Sequence, residues 1–92
     1  MAGPAAAGAA AALYVSHLGN AGLHVSWAVR NRRYDPGLIT ALATLTPSAV
    51  VGLHDLARDD SVSRPTLSAG VLTGVALSVT FLPAMKRRAR RR

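Results

Sequence analysis

His17, Asn20 and His24 recur at i, i+3 and i+7. At about 100° per residue they fall within about 60° of one another on one helix face. Leu13, Ser16 and Trp27 flank that stripe. Imidazole titrates near neutral pH and is a frequent metal ligand, so the pattern points to proton or metal chemistry. Two histidines give at most two ligands, whereas a zinc-type site takes about three or four protein ligands. The chain has no Glu or Cys, and Asp35 stands at the far end of the helix. A metal centre would therefore need residues from a partner chain. The competing reading is interhelical hydrogen bonding to Thr, Ser or backbone groups. No metal or cofactor is expected of this chain alone.

Three further patterns invite chemistry. His54-Asp55 pairs an imidazole with a carboxylate, but no Gly-x-Ser-x-Gly elbow exists to supply a hydrolase nucleophile. Neighbours in sequence do not face each other on a helix either, so an exposed helix end is expected. Lys86 to Arg92 reads KRRARRR, a density of charge that could attract nucleic acid. Lacking aromatics for base stacking and following an apolar run directly, it reads instead as an anchor on anionic lipid; no nucleic-acid partner is expected. Gly70, Gly74 and Ser78 place a small residue at every fourth position, which lets helix backbones approach closely.

These residues must be positioned by very little protein. The chain has 92 residues, 50% of them hydrophobic and 4% aromatic, with a formal charge of +7. So short a chain does not build a large core around a deep active site. The lack of cysteine excludes disulfide scaffolds, thiolate zinc, iron–sulfur clusters and Cys nucleophiles. The distribution of charge is more informative than its sum. Residues 1–29, 36–54 and 65–85 contain no Asp, Glu, Lys or Arg. A helix needs about 20 mainly apolar residues to cross a bilayer. A helix of a soluble bundle would carry charge along its outer face.

The expected fold is all-α, a three-helix transmembrane bundle forming one domain over residues 1–92. Helix one covers about 5–30, helix two 36–56 and helix three 65–85, with a basic tail at 86–92. Pro36 and Pro65 suit first-turn positions, and Asp35 can cap the helix that follows it. Pro47 is expected to kink helix two and Pro83 to end helix three. The first run is rich in Ala and interrupted by His and Asn, so it should depend most on its neighbours. Met-Ala-Gly-Pro lacks the basic region of a signal peptide. The first connector and the tail hold nine of the eleven Lys and Arg residues. That bias places them in the cytoplasm and the N-terminus outside, in a multi-pass protein of the cell membrane.

Tyr34-Asp35-Pro36-Gly37, with His24 ten residues before Tyr34, supplies a family resemblance. The stretch from Asn20 to Pro47 resembles the later part of the HXXEE family, bacterial membrane proteins of unknown function that carry a Tyr-x-Pro-Gly motif and a further histidine. The family's His-x-x-Glu-Glu motif is absent, because the chain has no glutamate. The chain thus looks like the C-terminal half of a longer member: a truncated product, a mis-assigned start or a short relative. Two functions follow. One is a structural or interaction module without a self-contained active site, in contact with lipid and with another membrane protein or a second copy. The other is an incomplete part of a membrane metal-dependent enzyme whose carboxylates come from a missing N-terminal half or a partner. Tyr34 is expected at the lipid–water boundary, without direct contact to His24.

Overall fold

A computed structural model of the chain describes residues 4–91. Residues 1–3, where the first apolar run begins, and Arg92 of the tail lie outside the described residues. Three helices make up the fold: α1 (Pro4–Asn31), α2 (Pro36–Arg58) and α3 (Arg64–Arg90). Their boundaries follow from local chemistry. Arg32 adopts a left-handed conformation (φ 54°), and the Arg33 amide turns back to the Ala28 carbonyl at 3.2 Å, which closes α1. The Asp35 carboxylate accepts from the Leu38 amide to cap α2, and Pro36 occupies its first turn. Ser63 caps α3 by accepting from the Thr66 amide at 3.3 Å. Between α2 and α3, Asp59 accepts from both the amide and the hydroxyl of Ser61.

The helices run up, down and up, and α1 lies in the middle. It packs chiefly against the parallel α3 and less extensively against α2, while α2 and α3 scarcely meet. The helix interrupted by His17, Asn20 and His24 is thus the one with neighbours on two sides. The bundle measures 44 × 21 × 17 Å, and its long axis matches the ~40–45 Å of a bilayer including its headgroup regions. Both α2 and α3 are long and apolar enough to cross a membrane; α1 is long enough but falls short in apolarity.

Small residues form the α1–α3 seam. A Cβ on Gly70 would lie 2.6 Å from the Gly8 carbonyl oxygen, and one on Gly74 would lie 2.6 Å from Val15 Cβ. The two backbones are in contact there, a separation that only glycine permits. One turn on, the Ser78 hydroxyl is placed to donate to the Ser16 carbonyl at 3.1 Å and to the Gly74 carbonyl at 2.9 Å. Against α2, Gly52 makes room for the ring of Tyr14. The buried apolar residues are alanines apart from Leu42. The large apolar side chains face outward instead, among them Leu13 (68% exposed), Leu72 (71%) and Val79 (61%).

Two boundaries depart from expectation. Pro83 does not end α3: the helix continues to Arg90, so most of the basic tail is helical. Pro83 removes only one donor, to the Val79 carbonyl, and the turns beyond it are held by their own contacts. Ala89 is buried, and Arg88 and Arg90 each find partners on other elements. Cations in the last turn also suit the negative end of the helix dipole. The second departure is at α2, which continues two residues beyond 56, to Arg58.

Candidate functional site

Ser16, Asn20 and His24, spaced by four, continue the buried stripe of α1 toward its C-terminal end. There the α1–α2 turn and the last turns of α3 close over it. Asp35 is completely buried. Its Oδ1 accepts from the Leu38 amide at 3.4 Å, and its Oδ2 accepts from Arg88 Nε at 2.5 Å. Arg88 remains 59% exposed, so the pair joins a buried anion to a cation at the surface. A buried carboxylate needs such a partner, because leaving water costs an ion several kcal/mol. This ion pair fastens the end of α3 to the start of α2, two helices otherwise in little contact.

His24 is also completely buried, and among the described residues neither ring nitrogen has a hydrogen-bond partner. Asp35 is close enough to act on it electrostatically. Its ring stacks on Trp27, with centroids 6.2 Å apart and planes inclined by 28°. The guanidinium of Arg90 lies over the same indole, 5.6 Å from its centroid, a cation–π contact. Asn20 Oδ1 is buried without a partner as well. Orphaned polar atoms are rare in folded proteins, since each costs about 1–3 kcal/mol. The cluster therefore sets an imidazole and a guanidinium on one indole, with the Asp35–Arg88 pair acting on the imidazole through Asp35. It could hold a proton or orient an anionic group. Among the described residues no three of His, Cys, Asp and Glu converge to hold a metal ion.

His17 does not share this cluster. It lies one residue off the buried stripe and faces α2, where Nε2 is 3.2 Å from the Leu42 carbonyl and 3.5 Å from Thr46 Oγ1. The tautomer with Nε2 protonated donates to that carbonyl, which also accepts from Thr46 Oγ1 at 2.6 Å. The helix face expected to carry three polar groups is thus divided between two neighbours. Of the Tyr-x-Pro-Gly tetrapeptide only Asp35 is buried; Tyr34, Pro36 and Gly37 are exposed. His54 Nδ1 and Asp55 Oδ1 are 3.8 Å apart, both largely exposed at the opposite end of the bundle. Gly70, Gly74 and Ser78 all face α1.

The sequence reading missed Arg88 and Arg90, treating the tail as a uniform cationic anchor. A signal was present: Asp35 is a lone acid beside an apolar run, and the tail is the richest supply of cations. Compared with family models, with curated proteins and with solved structures, the chain matches none.

Proposed function

We propose that this chain is a three-span protein of the cell membrane that serves as a structural or interaction module and has no active site of its own. The observation that carries this reading is the inverted distribution of side chains. Leu, Val and Phe face outward while Ala, Gly, Ser, Asn, His and Asp are inside. In water such an arrangement would forgo most of the hydrophobic stabilisation available, about 25 cal/mol per Å² of apolar surface. In lipid it is the favourable arrangement, because helix association there rests on close backbone packing and interhelical hydrogen bonds. α1 crosses as the central helix, with its polar atoms turned inward. The first connector and the tail, which share one end of the bundle, face the cytoplasm, and the N-terminus lies outside.

The chain is free of cysteine, so single cysteines report topology directly. An impermeant maleimide applied to intact cells should label Asp60→Cys and leave Asn31→Cys unlabelled until the membrane is opened. Labelling of Asn31→Cys alone reverses the orientation; equal labelling of both removes the spans.

The two open nitrogens of His24 favour a second reading, in which a partner or an N-terminal extension completes a metal-dependent enzyme. It rests on kinship with the HXXEE family through His24 and Tyr34 to Gly37. An in-frame His-x-x-Glu-Glu coding segment upstream of Met1 would support it; a stop codon directly upstream would leave the module reading.

A further inference from the structure

Near the end of α1 that bears the cluster, a separate groove of about 130 Å³ opens between α1 and α3. Leu23, Ser26, Trp27, Arg30, Leu82 and Lys86 line it. Two of these residues are cations, and neither makes an ion pair among the described residues. Arg30 reaches only Ser26 Oγ, at 3.5 Å. Among the described residues no aspartate is placed to neutralise them: Asp35 is engaged by Arg88, and Asp55, Asp59 and Asp60 lie at the other end of the bundle. At Leu23 the groove adjoins a larger apolar one of about 390 Å³, walled by Leu18, Leu53 and Val79. That one lies across α1, where α2 and α3 scarcely meet. A cationic mouth thus leads into an apolar trough along the membrane axis.

We infer that this composite groove binds one anionic phospholipid, its phosphate held by Arg30 and Lys86 and an acyl chain laid along the trough over α1. The inference rests on the membrane reading above. Basic pockets between membrane helices on the cytoplasmic side select anionic headgroups, whereas a zwitterionic headgroup brings its own cation to the same place. The apolar trough distinguishes a lipid from a free phosphate, which has nothing to put there.

Trp27 is the only tryptophan and lines the groove, so its fluorescence reads occupancy. The full chain is reconstituted in phosphatidylcholine vesicles, and either phosphatidylglycerol or phosphatidylcholine with brominated acyl chains is titrated in. Brominated phosphatidylglycerol should quench Trp27 at a mole fraction roughly thirtyfold lower, as two cations near a surface provide. Arg30→Gln with Lys86→Gln should remove the preference, and Arg58→Gln with Arg64→Gln, at the other end, should keep it. Excess inorganic phosphate should leave the quenching unchanged. Equal quenching by both lipids overturns the inference and leaves the membrane reading intact. A preference surviving in Arg30→Gln/Lys86→Gln assigns it to the tail arginines and overturns the groove. Displacement by inorganic phosphate overturns the lipid assignment. Quenching by neither lipid puts Trp27 outside the bilayer, and the membrane reading falls with the inference.

Discussion

Between Ala7 and Ser16, α1 meets α3 through methyl groups and bare backbone, with Gly8, Gly70 and Gly74 at the points of closest approach. Between Asn20 and Asn31 the same helix meets its neighbours through an imidazole, an indole, a carboxylate and guanidinium groups. The first half is held by shape and has no room for one more carbon at Gly70 or Gly74. The second is held by charge, and two of its polar residues are left with orphaned atoms. The contrast separates two ways of joining helices where water is scarce. Small residues bring backbones together at no electrostatic cost; a buried ion pair fixes which helix ends meet but makes each partner indispensable.

Removing one partner of the ion pair should have the largest effect. Arg88→Ala deprives a fully buried carboxylate of its guanidinium and should cost about 3 kcal/mol. The exposure of Arg88 softens none of the burial at Asp35. Unfolding by sodium dodecyl sulfate, followed by circular dichroism, measures the loss. The double variant Asp35→Asn/Arg88→Leu should cost less than the two single changes added together; strict additivity would show that the pair is not coupled.

At the shape-held end, Gly74→Ala puts a methyl against Val15 and the Ala12 carbonyl and should cost about 1–3 kcal/mol by overpacking. Gly22→Ala is its control, because nothing lies within 4 Å of a Cβ there. Equal behaviour of the two variants in the same assay would mean that the seam is looser than described. Returning to the charged end, His24→Leu should raise stability by about 1 kcal/mol, because it removes a buried imidazole without hydrogen-bond partners. Loss of the folded protein would instead assign that ring an essential partner. Arg32→Gly should add roughly 0.5 kcal/mol, the left-handed strain relieved less the entropy that glycine gives the unfolded chain.

The smallest effect concerns pH, at the α2–α3 turn. The Ser61 hydroxyl and amide both donate to Asp59 and hold its carboxyl below the usual carboxylate range. The stability these bonds contribute is complete above the ordinary Asp pKa and is lost as pH falls through the lowered one. Ser61→Ala should move the Asp59 titration upward in a carboxyl-carbon NMR experiment. An unmoved midpoint would show that the hydroxyl does not set it.

The helices themselves were legible in the sequence, because uncharged runs and prolines mark them directly. Asp35 as a cap and Gly70, Gly74 and Ser78 as a packing face were equally local signals, readable from type and spacing. Arg88 was not, since a contact across 53 residues leaves no periodicity and Arg88 stands among identical neighbours. Pro83 misled for a different reason. Its local cost is one backbone bond, and that cost is outweighed by contacts which only the assembled bundle makes. His17, Asn20 and His24 were grouped by angle, but a span of about 60° is wide enough to be shared between two partners, and His17 turns to α2.

The Asp35–Arg88 pair also has a consequence for the order in which the chain is made. A ribosome adds about 5–20 residues per second, so the 53 residues between the two partners take roughly 3 to 10 s to appear. For that interval the Asp35 carboxylate lacks the Arg88 guanidinium that meets it in the finished fold, with α1 and α2 already made and the junction beneath them still open. Arrival of Arg88 allows the carboxylate to leave water, and the end of α3 is fastened to the start of α2 by the same event. The ion pair is then a latch that closes last, and a chain stalled before Arg88 would be left with an open, hydrated end.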